Sequence, residues 1–261
     1  MPDDDKKLRL GGMALRNGLL VHGPDHWAAA VRRDDGTIAV ASGRKPRVRT
    51  RVASVPGVRG VARLGEAVAV IPLVKRALPE ARLPFHDATV VAAMAATATA
   101  GAVLRRRARG MSGEAAVALL SVAPSLIALR GGELAAYHGV EHKAIGAYEQ
   151  GADAREATKE HDRCGSHLVA PLLAANLAGT ALLRTVVEKP SPMAGAVVQL
   201  ASIGAAVEVF AWSERHGDTA LARALRRPGH ELQRAIGTRE PTAEQLEVGR
   251  AALAEILRAE S

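Results

Sequence analysis

Two histidines four residues apart, with a glutamate beside the second, are the residues of this 261-residue chain best suited to chemistry: His138-Gly139-Val140-Glu141-His142. On a helix that spacing puts both rings on one face. Two neutral imidazoles so placed hold a Zn²⁺ ion at about 2.0–2.1 Å. Glu141, one position before the second histidine, is placed to act as general base toward water at the metal, in the H-x-x-E-H arrangement. Glu149 follows His142 by seven residues on the same face, as a further ligand or as a group that orients one. Five common residues also form a polar helix surface by chance, so the surroundings must decide.

A second cluster, His161-Asp162-Arg163-Cys164-Gly165-Ser166-His167, packs three histidine or cysteine donors into seven residues. Imidazole and thiolate together suit zinc or another borderline divalent metal. The alternative is a polar turn ending at Gly165, with Cys164 as a small packed residue. Cys164 is the only cysteine, which excludes an intrachain disulfide. The third feature is Glu208, an ionisable residue inside an apolar segment and 66 residues after His142. Such a group inside a span is expensive and marks function by default. A third, carboxylate ligand from a later helix is the usual completion of the pattern. That makes Glu208 the expected third ligand, with His161 or Cys164 as substitutes.

The elements that must position these residues are mostly helical and apolar. Four segments are free of charge: Ala88–Leu104, Ala115–Leu129, Leu168–Leu183 and Pro190–Val207. A bilayer core of about 30 Å asks for about 20 helical residues, with about 17 as the lower limit. The first and fourth qualify, the third qualifies if Arg184 snorkels, and the second is short. Their Ala and Gly content suits close packing of helices in lipid. A soluble bundle with Ala-rich cores is the competing reading. Residues 8–42 read as β-strands, with Asp34-Asp35-Gly36 as a hairpin turn and a Met13–Val21 run interrupted by Arg16, Asn17 and Gly18. Residues 55–78 read as an amphipathic helix near a membrane surface or a soluble core, broken near Pro72. Beyond Pro241, Thr242-Ala243-Glu244-Gln245 opens a last helix with Leu246, Val248, Ala252 and Ile256 as its apolar stripe.

The predicted fold class is therefore mainly α: a polytopic helical membrane protein with about four transmembrane helices and a small N-terminal β-rich domain. The predicted division is 1–54 (β-hairpins and the basic linker Arg44–Arg51), 55–82 (amphipathic helix), 83–212 (membrane domain with a cytoplasmic motif loop at 130–167) and 213–261 (a cytoplasmic helical segment). The chain carries a net charge of +8, and nine basic against two acidic residues fall between Arg32 and Arg63. This favours a cytoplasmic N-terminus and contact of residues 32–63 with anionic lipid headgroups. With aromatics at 2 % and no matching motif, nucleic acid is not an expected partner. Four spans return the C-terminus to the cytoplasmic side of the cell membrane. Arg105, Arg106, Arg107 and Arg109 disagree, since they fall in a loop assigned to the outside.

Taken block by block, the chain resembles the YqhQ-like family of bacterial membrane proteins, a domain-of-unknown-function class described as predicted metal-dependent enzymes. The blocks are GGMALRNGLLVHGP from Gly11 to Pro24, VRRDDGTI from Val31 to Ile38, and Val55-Pro56-Gly57-Val58-Arg59-Gly60. They continue with Tyr137–Lys143 and Tyr148-Glu149, His161 with Arg163-Cys164-Gly165, Glu208, Thr238–Pro241 and Glu244–Val248. The resemblance implies an integral membrane protein with a metal-dependent activity and gives no substrate. Met13 and Asn17 depart from the Gln and Glu that the family favours, and His167 is extra. If those two polar residues bind substrate or metal, this chain has lost part of that function.

Two functional classes follow. The first is a membrane-embedded zinc-dependent hydrolase or peptidase. Its metal is held by His138 and His142 with Glu208, His161 or Cys164, Glu141 is the base, and Glu149 and Arg163 are supporting groups. The second is a membrane scaffold or transport protein whose structural metal is closed off by His138, His142, His161 and Cys164.

Overall fold

A computed structural model describes residues 7–47, 55–107, 110–130 and 132–261. Four strands form an antiparallel meander in the order β1 (Gly11–Leu15), β2 (Gly18–His22), β3 (His26–Arg32) and β4 (Ile38–Arg44). The interruption at Arg16-Asn17 is itself a hairpin turn, with Leu15 opposite Gly18. The Asn17 amide donates to the carbonyls of Arg32 (3.0 Å) and Glu80 (3.1 Å) and accepts from the Arg82 N–H (2.9 Å). Asn17 thus tethers the sheet to the segment after the first helix, and Met13 packs on the core there. The expected turn at 34–36 is present, with Gly36 at φ 84° and the Asp35 carboxylate accepting from the Thr37 N–H at 2.9 Å. Residues 48–51 of the basic linker and Arg109 lie outside the described residues.

The strands read as almost continuously apolar because the sheet is covered on both faces. Leu19, Val21, Ala28 and Ala30 face one side; Leu15, Leu20, Trp27, Ala29 and Val31 face the other. The second side is covered by Val70 and Val74 of α1 (Val58–Ala77) and by Ala81 and Leu83. The first is covered by α5 (Glu133–Gln150), through Tyr137, Val140 and Ile145. The terminal helix α9 (Ala243–Glu260) joins it through Val248, Ala252 and Ile256. Thr242 and Gln245 form a reciprocal capping box at the start of α9, as their spacing predicts. One core thus joins stretches that the linear division keeps apart, and the motif region 133–150 is a buried helix of that core. The N-terminal sheet is thus packed directly on the last helix.

Between α1 and α9 run α2 (Ala88–Arg107), α3 (Met111–Leu120), α4 (Ala123–Arg130), α6 (Val169–Val186), α7 (Pro192–Arg215) and α8 (Ala220–Leu232). Four helical stretches are long and apolar enough to cross a membrane: Ala88–Arg107, Met111–Arg130, Gly165–Val186 and Pro192–Arg215. Only 6–17 % of each is buried inside the protein, so most of their apolar surface has no protein partner among the described residues. That is the signature of a membrane protein. The second stretch, short in the sequence, reaches 20 residues because helix extends to Met111 and Arg130. Its break at Ser121-Val122 is followed by Pro124 in the first turn of α4, where a missing N–H costs nothing. At the far end of this bundle Arg105 (3.3 Å) and Arg184 (2.6 Å) both reach Glu114, so part of the anomalous arginine charge is neutralised locally.

Candidate metal centre

Helix α5 holds its histidines by their backs. His138 Nδ1 lies 2.8 Å from the Gly237 carbonyl, and His142 Nδ1 lies 2.6 Å from the Lys159 carbonyl. A carbonyl only accepts, so both Nδ1 atoms donate, and both Nε2 atoms are turned toward the site. This outer support is how proteins fix the tautomer and direction of a ligating imidazole. The rings are 4.3 Å apart between centroids. Burial, with His138 alongside, holds His142 far below the ordinary imidazole range, in the neutral form that binds metal.

The third donor is Cys164. Its Sγ lies 3.3 Å from His138 Nε2. The donor atoms of His138, His142 and Cys164 all lie within 4.8 Å of one another, a set that can hold a metal ion. The fit is supported by His142 Nε2, which is buried and has no hydrogen-bond partner among the described residues. A buried nitrogen left bare is costly unless something else binds it. Burial pushes the Cys164 thiol up to about 11, so it keeps its proton until a metal displaces it. Two imidazoles and one thiolate would hold a divalent ion by three protein donors and leave room for a further ligand.

Cys164 reaches α5 because the 161–167 loop is tied to the far side of the site by Gln233. This residue is fully buried at the start of a π-helical turn, Gln233–Gly237. Its Oε1 accepts from the His161 N–H at 2.8 Å, and its Nε2 donates to Ser166 Oγ at 2.8 Å and to the His161 carbonyl at 3.2 Å. The same turn ends at Gly237, whose carbonyl orients His138. The sequence reading passes over Gln233, because a glutamine in a polar helix carries no motif; only the unusual turn marks it. Replacing Gln233 by Leu unties Cys164 without touching a ligand. Metal affinity, measured by competition with a chromogenic chelator, is expected to fall about 10–100-fold, as for other supporting residues.

Glu141 shares the site but makes no metal-ligand set with the three donors. Its carboxyl is buried against β1: a Cβ at Gly12 would lie 2.8 Å from Glu141 Oε1. Burial raises its pKa, opposed by the nearby His138 and His161. Among the described residues no hydrogen bond occupies this carboxyl, so it is available to a proton brought into the site.

The other predicted residues go elsewhere. His161 is used up: its Nε2 lies 3.1 Å from Glu149 Oε2 and its Nδ1 accepts from the Arg163 N–H at 3.3 Å. Arg163 pairs with the second oxygen of Glu149, so Glu149, His161 and Arg163 form a linked group beside the centre. They line a cleft of about 490 Å³ that opens onto His142 and is shared with Glu214, Arg226 and His230. His167 is turned away, with Nδ1 2.9 Å from the Arg226 carbonyl. Glu208, the expected third ligand, is not brought to the histidines. It binds the Arg59 guanidinium and accepts from the Gly57 N–H at 2.9 Å, at the first turn of α1. A full charge in a span takes the nearest cation, and α1 delivers one.

No curated protein and no solved structure matches the chain. The segment that carries the histidine helix, the cysteine loop and the π-turn, residues 133–259, matches the model of a family described as "Protein of unknown function (DUF1385)".

Proposed function

We propose that the protein is a metal-dependent enzyme of the cell membrane, a zinc hydrolase or peptidase with its site at the membrane's cytoplasmic edge. The observation that carries this is the convergence of two back-held imidazoles and a thiol on one point, with His142 Nε2 buried and bare. His138, His142 and Cys164 would hold the metal. When bound, a divalent ion there supplies a Lewis acid for a carbonyl or similar electrophile. Glu141 takes the proton of the attacking water and returns it to the leaving group, so charge and protons balance over the cycle. The cleft beside His142 admits the substrate, and the Glu149–Arg163–His161 group forms its polar wall. The basic sheet region packs on α9, so both would lie on one side of the membrane, which supports a cytoplasmic placement. The closed four-ligand scaffold is less well supported, because both ring nitrogens of His161 are occupied.

The test is metal analysis of the detergent-purified chain followed by a screen of ester and amide substrates, with Glu141→Gln in parallel. The variant should keep its metal and lose at least about 100-fold in turnover, the usual scale for a lost general base. Metal lost together with turnover would assign Glu141 to binding instead.

A further inference from the structure

A second cavity, of about 510 Å³, lies between the sheet edge and α1. Arg9, Lys45, Arg47 and Arg63 line it, with Glu66 as the acidic member of the wall. Two of these cations have carboxylate partners: Arg9 meets Glu214 at 2.7 Å and Arg47 meets Asp25 at 2.6 Å. Lys45 Nζ donates to the Gly23 carbonyl at 3.0 Å, which orients it, and it meets no carboxylate among the described residues. His22 is also in the wall; burial and Lys45 lower its pKa to about 4, so it adds no charge at neutral pH. The cavity therefore presents several N–H donors and a positive balance.

Its position in the fold says what kind of anion it meets. Arg9 is joined to Glu214, one residue from the C-terminal end of the α7 span. A 24-residue helix is about 36 Å long, slightly more than the apolar thickness of a bilayer, so its end lies at the headgroup level. The other wall is α1, whose Leu64 and Val68 are 49 % and 54 % exposed beside Arg63. An apolar face with cations along its border is how a helix lies at a lipid surface. The membrane boundary and the basic cavity thus coincide.

We propose that this cavity binds the phosphate of an anionic membrane lipid, with Lys45 and Arg63 as its principal cations. The proposal does not depend on the metal centre. A lipid so held would stand next to the catalytic cleft, since Glu214 lines the cleft and its partner Arg9 lines the cavity.

The test uses the full chain in nanodiscs and in detergent. Native mass spectrometry and lipid titration compare phosphatidylglycerol with phosphatidylcholine. The wild type is expected to retain phosphatidylglycerol selectively, and added salt should weaken the binding. Lys45→Gln/Arg63→Gln should weaken it about 30-fold, at roughly 1 kcal/mol per basic residue near a surface. Lys45→Arg/Arg63→Lys should restore it. Unchanged metal content in both variants shows that the protein remains folded. Equal retention of the two lipids, or full phosphatidylglycerol affinity in Lys45→Gln/Arg63→Gln, would overturn the proposal. So would displacement of the lipid by low-millimolar inorganic phosphate, which would assign the cavity to a soluble anion.

Discussion

His142→Ala is expected to leave the purified chain without its metal. Wild type should carry about one divalent ion per chain and the variant less than about 0.1, because a three-ligand site that loses one donor no longer competes with solvent. Cys164→Ala should do the same, since Cys164 Sγ sits with both imidazoles inside a 4.8 Å cluster. His161→Ala and Glu208→Gln should keep the metal, because His161 is bound to Glu149 and Glu208 to Arg59 and Gly57. Elemental analysis of the five proteins side by side decides it. Metal retained by His142→Ala, or lost from Glu208→Gln, would mean that another ligand set operates. A wild type without metal under non-chelating conditions would remove the centre altogether.

The second large effect is expected from a methyl group. Gly139 lies between the two histidines, where the Thr238–Pro241 segment crosses α5. The Arg239 N–H donates to the Ala135 carbonyl at 2.9 Å, and Glu240 meets the buried Lys143 at 2.6 Å. A Cβ at Gly139 would overlap the Arg239 carbonyl oxygen and lie 3.5 Å from Pro241 Cδ. Backbone cannot rotate aside as a side chain can, so Gly139→Ala must lift the whole segment from α5. Overpacking of this kind costs about 3 kcal/mol, which lowers the melting temperature of a chain this size by about 5–10 °C. Metal should weaken too, because Gly237, which orients His138, lies just before the displaced segment. Gly65→Ala is the control: nothing lies within 4 Å of a Cβ there, and an alanine in a helix interior should be neutral or slightly stabilising. Equal melting temperatures for Gly139→Ala and wild type would show that the crossing segment is not tightly packed.

These two experiments fall on different parts of what the amino-acid sequence can express. The helical spacing of His138 and His142 is legible because 3.6 residues per turn is a property of the backbone alone. The four apolar stretches are legible for a similar reason: the length needed to cross a bilayer is a fixed distance divided by a fixed rise. The turn at Asp34-Asp35-Gly36 and the capping box at Thr242 and Gln245 are also local, and both are present. Gln233 is different, because its importance comes from three hydrogen bonds to residues about 70 positions away.

The identity of the third donor belongs to this second kind. The sequence favoured Glu208 as the completion of the histidine pair, with His161 or Cys164 as substitutes, but separation along the chain says little about separation in space. The tertiary structure divided them. Docking α1 on α7 gave Glu208 an arginine and a backbone N–H. Glu149 and the Arg163 N–H took the two nitrogens of His161. Gln233 drew the 161–167 loop across α5 and left Cys164 beside Nε2 of His138. Residue type and local period determined which groups are capable of chemistry. Long-range packing, by pairing the competing donors with other partners, decided which of them meet.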